Sequence, residues 1–141
     1  MGLLEVFDVS GSAMAAQSVR LNTTASNIAN AESVSADPAQ TYRARHPVFA
    51  EQLARQQIGA DAAGTAGAVQ VVDIVESHLP LDYRYEPDHP YADEKGFVAY
   101  PNVSVVEEMA NMISASRSFE LNVEVMNTAR TLAERVLSLG Q

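Results

Sequence analysis

Three observations predict a mainly α protein with a small β insertion, in which long N- and C-terminal helices pair as a coiled coil around short antiparallel strands and loops. Near the N-terminus an apolar residue recurs every seven positions, at Phe7, Met14, Leu21 and Ile28. From Val105 onward apolar residues alternate at spacings of four and three, the period of a coiled-coil seam. Between these stretches lie β-branched and alternating segments punctuated by Pro and Gly, which read as strands. The 141-residue chain therefore divides into an N-terminal helix (1–32), an extended and β-rich middle (33–101) and a C-terminal helix (102–141).

The first helix is unusual in its composition. Of the 23 residues from Val9 to Ala31, 13 are Ala, Ser, Thr or Gly, and Arg20 is the only charge. Ser, Thr and Asn compete with the backbone for hydrogen bonds and are mediocre helix formers, and a solvated helix carries more charge than this. The alternate seam positions Ser10, Gln17 and Thr24 are polar. Two readings follow: an Ala-rich surface helix, or a helix enclosed by neighbours on several sides.

In the middle, Asp37-Pro38 marks a loop, and Tyr42 to Phe49 reads as extended because His46-Pro47 disfavours helix. Gly59 to Ala68 is a small-residue linker. Val69 to Val75 is β-branched-rich. Leu79, Leu81, Tyr83 and Tyr85 alternate with Pro80, Asp82 and Arg84, predicting a half-buried strand at an edge. A turn across Tyr85, Pro87, His89 and Pro90 then leads to a short strand from Gly96 to Tyr100, followed by a second turn at Pro101-Asn102.

The C-terminal helix opens with Ser104-Val105-Val106-Glu107, the form of a capping box in which Ser104 and Glu107 satisfy each other's free amides. The predicted seam is Val105, Met109, Met112, Ser116, Phe119, Val123, Met126, Arg130, Ala133 and Leu137. Glu107 and Glu108 begin the helix and Arg130 and Arg135 lie near its end, the order the helix dipole favours, with Gly140 as the stop. About 35 residues at 1.5 Å each give a helix on the order of 50 Å long. That length exceeds the core of so small a globule and implies a partner along it.

A net charge of −9 argues against binding nucleic acid or anionic lipid. The absence of cysteine excludes disulfides, thiol catalysis and Cys-based zinc sites. No stretch approaches the roughly 20 apolar residues that span a bilayer, and Met1 to Phe7 lacks the features of a secretory signal. His78, Asp82, Glu86, Asp88 and His89 match no metal-ligand spacing, and the prolines already explain that segment as a rigid turn. Ser10-Gly11-Ser12 has no paired histidine, and no Gly-rich phosphate loop follows a strand. The sequence predicts no enzyme, cofactor or metal site. Arg117 has two readings: a snorkelling surface arginine one turn from Glu120, or an arginine held between subunits.

The segment SGSAMAAQSVRLNTTASNIANAES, a small-residue helix ending in A-x-N-I-A-N, resembles the signature of the bacterial flagellar axial proteins. A second segment, YEPDHPYADEKGFVAYPNVSVVEEMANMISASRSFELNVEVMNTAR, is similar to the proximal-rod type within that family: its Y-x-P-x-H-P turn, Y-P-N-V lead-in and A-S-R-S-F-E-x-N-V run carry the likeness. The chain departs from relatives at Glu32-Ser33 and in the 59–68 linker.

The resemblance implies a structural subunit of the flagellar proximal rod, the drive shaft, exported unfolded and polymerising through its terminal helices to transmit torque. Implied partners are copies of itself, other rod proteins, the rod base at the MS ring and the flagellar type III export apparatus, with no nucleic acid and no membrane insertion. The implied location is the basal body, where the rod crosses the periplasm, reached from the cytoplasm without a cleaved signal. Subunit contacts are expected at Phe7, Met14, Leu21, Asn22, Asn27, Ile28 and Asn30 on the first helix. On the second they are expected at Val105, Met109, Met112, Ile113, Arg117, Phe119, Asn122, Val123, Met126 and Asn127. Asn22, Asn27 and Asn30 would pair amides across subunits, and Asn30 would also end the helix in a left-handed turn. The alternatives are another rod- or hook-type subunit, or a cytoplasmic coiled-coil adaptor.

Overall fold

A computed structural model describes residues 3–52 and 67–139. Residues 59–66 of the predicted linker and Gly140 lie outside the described residues. Two long helices, α1 (Leu3–Ala29) and α2 (Val105–Leu139), bracket four strands. These are β1 (Arg45–Gln52), β2 (Ala68–Glu76), β3 (Asp82–Tyr85) and β4 (Phe97–Tyr100). The architecture is mainly helical with a small β insertion, and the insertion is two separate antiparallel hairpins, β1–β2 and β3–β4.

The helices run antiparallel. Near one end Arg20 Nη2 donates to Asn111 Oδ1 at 3.1 Å. Near the other, Val6 lines a groove with Leu121, Val125, Ala129 and Leu132. At 1.5 Å per residue, this register carries about the last three turns of α2 past the first described residues of α1.

The β1–β2 hairpin packs along α1, and Ser12 serves that contact. Its hydroxyl donates to the Val9 carbonyl one turn back (2.9 Å) and accepts from the Val69 N–H of β2 (3.1 Å). The ladder slips between Val48 and Phe49, leaving Val72 as the extra residue of a bulge. Because the Ala44 carbonyl accepts from Ser77 N–H at 2.7 Å, Arg45 and Pro47 present their backbone groups to the free edge. There the missing N–H of Pro47 costs no ladder bond.

The turn between β3 and β4 is held by polar groups. Asp93 Oδ1 accepts from the N–H groups of Lys95 and Phe97, both at 2.8 Å. His89 Nδ1 accepts from Tyr91 N–H at 3.1 Å. Gly96 adopts φ +81°, and a Cβ there would meet Tyr85 Cε2 at 2.9 Å.

Three local expectations need correction. The half-buried strand expected from Leu79 to Tyr85 forms only over Asp82–Tyr85, and all four residues are exposed, because β3 pairs with β4 alone in a two-stranded sheet. Leu81, just before it, is the buried residue. Asn30 does not turn left-handed, since no described non-glycine residue has a positive φ. Instead its side-chain amide donates to the Ser26 carbonyl (2.8 Å), and its own N–H reaches the Ser26 and Asn27 carbonyls. The capping box is half formed: Ser104 Oγ accepts from Glu107 N–H at 3.5 Å, with no return bond from the Glu107 carboxylate among the described residues.

Candidate assembly surface

The interior of this chain is built from small residues. Among the described residues, six of the eight buried apolar side chains are alanines: Ala16, Ala31, Ala44, Ala99, Ala115 and Ala129. Ser10, Thr23, Thr24 and Asn27 of α1 are buried with them. Small side chains let helix backbones approach closely and pack without voids. The large apolar residues face outward: Met109, Ile113, Leu121, Val125, Leu132 and Val136 on α2, and Val72, Ile74, Tyr83 and Tyr85 on the hairpins, are all exposed. Single exposed apolar residues need no explanation, but contiguous rows of them mark interaction surfaces.

This inversion corrects the predicted seam of α2. One of its two rows, Met112, Phe119, Met126 and Ala133, is half-buried as expected. The companion row is not Met109, Ser116, Val123, Arg130 and Leu137. It lies one residue earlier, at Glu108, Ala115, Asn122 and Ala129, of which Glu108, Ala115 and Ala129 are buried. Met109, Val123 and Leu137 are exposed. The close approach of α1 selects alanine for the contact and turns the larger residues outward.

Of the residues expected at subunit contacts, Phe7, Met14, Leu21, Ile28, Val105 and Asn30 are half-buried at the flanks of the helix pair. Asn22, Met109, Ile113, Arg117, Val123 and Asn127 are exposed. Arg117 makes no hydrogen bond or ion pair with a described residue. Asn122 returns its amide to the Ser118 carbonyl at 2.7 Å.

Asn27 has a different role from the one expected: it is fully buried and its amide is consumed within the chain. Nδ2 donates to the Arg45 carbonyl (2.8 Å), while Oδ1 accepts from the Arg45 N–H (2.9 Å) and the Tyr42 hydroxyl (2.9 Å). The side chain thus pairs with β1 as a neighbouring peptide group would, covering the start of its free edge. Asn102, expected only as a turn residue, grips the preceding residue: Oδ1 accepts from Ala44 N–H (2.8 Å) and Nδ2 donates to the Leu79 carbonyl (2.9 Å). Two asparagines, one ending α1 and one leading into α2, clamp the start of β1. Sequence reasoning missed this clamp, whose only local signal was an amide in a helix of small residues.

Charges around the clamp are mixed. Arg45 pairs with Glu76 at 3.0 Å and lies over the Tyr42 ring, 5.4 Å from its centroid. Burial pushes the Tyr42 phenol above its ordinary range; Arg45 opposes the shift, while Glu108 and Glu76 add to it. Glu108 is buried in the first turn of α2, where the helix dipole favours a carboxylate. Of His78, Asp82, Glu86, Asp88 and His89, Asp82 lies in β3 and pairs with Arg84 at 3.0 Å, His89 lies against Tyr91, and Glu86 accepts from the Tyr100 hydroxyl.

These features define a subunit made for assembly: a polar clamp, an alanine interior and an apolar exterior along one long helix. Comparison with known proteins agrees. A family model described as flagella basal body rod protein matches residues 7–34, and one described as flagellar basal body rod FlgEFG protein C-terminal matches residues 94–139. The chain is 49% identical over 141 residues to the flagellar basal-body rod protein FlgC of Escherichia coli O6:H1, covering both chains fully. It is 48% identical, again over the full length of both, to that of Salmonella typhimurium. With the relative from Borreliella burgdorferi, identity is 32% over 151 residues, covering 100% of this chain and 99% of the other. The chain belongs to the FlgC family of flagellar basal-body rod proteins, and it is a structural subunit of the flagellar proximal rod.

Proposed function

We propose that the chain polymerises into the rod through the outward faces of its terminal helices, and that these faces order fully only when neighbours cover them. The observation that carries this is the inverted burial: alanines inside, and Met109, Ile113, Leu121 and Leu132 more than half exposed. So small a core stabilises a long helix weakly, and a charged residue placed under a neighbour would remain unpaired. Within this reading, Asn22, Met109, Ile113, Arg117, Val123 and Asn127 contact other copies or other rod proteins. The rod base at the MS ring and the flagellar type III export apparatus are the further partners. Export without a cleaved signal, ahead of folding, places the subunit in the rod where it crosses the periplasm.

Mass spectrometry of purified hook–basal bodies, stripped of hook and filament, tests the location: the chain is expected there, and its recovery only from the soluble cytoplasm would overturn the reading. Met109→Asp and Ile113→Asp test the surface. Each is expected to leave the helical content of the isolated chain unchanged and to abolish incorporation and motility. Motile cells with either variant in their rods would remove these residues from the contact.

A further inference from the structure

Between Val9 and Ala31 helix α1 carries a single charge, the half-buried Arg20. Its Nη2 donates to Asn111 Oδ1 at 3.1 Å, which fixes the guanidinium and leaves most of its five N–H groups unused. It makes no ion pair with a described residue, whereas Arg45 nearby is held by Glu76 at 3.0 Å. Three elements build a pocket of about 230 Å³ around it: Arg20 and Thr24 come from α1, Arg45 and His46 from β1, and Asn111 from α2. No acidic residue lines it. Thr24 is only 4% exposed, and its hydroxyl has no partner among the described residues. The neighbouring Thr23 hydroxyl, by contrast, donates to the Val19 carbonyl at 2.9 Å. A buried hydroxyl and a cation with spare donors thus line one small concave space. That set suits a carboxylate, which accepts charge-assisted hydrogen bonds from both.

We propose that this pocket receives the Asp88 side chain of a neighbouring copy in the assembled rod. Asp88 stands at the tip of a tight turn in which the His89 N–H donates to the Glu86 carbonyl at 3.1 Å. Pro87 and Pro90 lie on either side of it. Asp88 is exposed and makes no hydrogen bond or ion pair with a described residue. Other carboxylates of this turn are engaged: Glu86 accepts from the Tyr100 hydroxyl, and Asp93 accepts from the Lys95 and Phe97 N–H groups. The prolines fix their φ angles, so little freedom is lost when the turn docks. A projecting acidic turn and a concave cationic pocket on one chain are complementary in shape and charge.

Turn and pocket are different surfaces. The contact therefore runs head to tail and repeats from copy to copy instead of closing at two. Its halves also form at different stages. Bonds within residues 86–97 close the turn, whereas the pocket exists only once α1 and α2 lie together beside β1. A copy already in the rod, with its helices ordered, offers the pocket to the turn of the next. The contact rests on the rod reading above and adds a directional element to it, because a carboxylate held by a guanidinium has a set orientation that apolar faces lack.

Arg20 and Asp88 form no ion pair within one chain, so exchanging their charges separates folding from contact. Asp88→Arg is expected to leave the urea stability of the purified chain unchanged and to lower the number of complete hook–basal bodies per cell several-fold. Arg20→Glu should lower it too, and the double variant should restore it. Asp88→Arg cells that build rods at the parent number overturn the proposal, as does a double variant no better than Arg20→Glu. Because the chain has no cysteine, introduced cysteines report without background. Oxidised hook–basal bodies carrying both His46→Cys and Pro90→Cys should yield disulfide-linked dimers and higher multiples of the chain, absent from either single variant. If the doubly substituted chain is present in the rods and no multiples form, this contact is wrong while the rod reading stands. Absence of the parent chain from the rods overturns both.

Discussion

The Asn27 clamp yields the sharpest test of how this fold is held together. Asn27→Ala removes three hydrogen bonds of 2.8–2.9 Å at a fully buried site. Tyr42 is only half-buried and keeps the option of bonding to water, so most of the cost falls on the N–H and carbonyl of Arg45. Two backbone groups left without partners cost about 2–4 kcal/mol together. For a chain of this size that lowers Tm by on the order of 10 °C, measured by thermal and urea unfolding of the purified protein. Asn27→Asp refines the test. A neutral carboxyl can still accept from Arg45 N–H and donate to its carbonyl, whereas a carboxylate cannot donate and sets an oxygen against that carbonyl. The folded state therefore raises the pKa of the introduced carboxyl above the unfolded value near 3.9. Its contribution is kept below that pH and lost as pH rises through the folded pKa. Relative to the parent chain, Asn27→Asp should be markedly less stable at pH 7 than near pH 3.5. An equal deficit at both values would refute the claim that the amide donates to Arg45.

Other perturbations follow from the same contacts. Ala115→Leu, at a position with no exposed surface, should cost about 1–3 kcal/mol by overpacking the helix pair, while Ile113→Leu on the outer face should change urea stability by less than about 0.5 kcal/mol. Because folding raises the Tyr42 pKa, stability is complete below the unfolded phenol value near 10 and falls as pH rises through the folded value. Tyr42→Phe should flatten that alkaline decline in a pH series of urea midpoints, at the cost of about 1 kcal/mol at neutral pH. Gly96→Ala forces a side chain into a left-handed conformation beside Tyr85 and should cost about 1–2 kcal/mol, read by urea unfolding.

Much of the architecture is legible from local chemistry. The four-and-three spacing from Val105 and the Ser104 cap place α2 closely, and the β-branched run at 69–75 lies within β2. Legibility fails where the deciding partner is distant in sequence. Met109 and Val123 outrank Glu108 and Asn122 in hydrophobicity, so a seam read by polarity turns them inward. The neighbour across that seam is α1, whose Ala16 and Thr24 demand close approach, and size outweighs hydrophobicity there. The clue was present in the small residues of α1 but concerned a different helix. Asn27 illustrates the same limit. Its amide pairs with residues 15 and 18 positions later, and helical periodicity carries no information about an edge of β1. The alternation from Leu79 to Tyr85 marks a real apolar face, but of its four apolar residues Leu81 alone is buried, and the alternation does not say how much of such a face the fold covers.

The attachment of the first hairpin has a mechanical consequence. Apolar surfaces in contact can slide over one another at little energetic cost, because one greasy neighbour is much like the next. The bonds made by Asn27 and Asn102 to Ala44, Arg45 and Leu79 are short and directional, and they weaken steeply once donor and acceptor fall out of line. A twisting load on the helices is thus passed to the hairpin with almost no slack. The joint is stiff up to a displacement of about an ångström and then yields abruptly, behaving as a brittle pin rather than a viscous bearing.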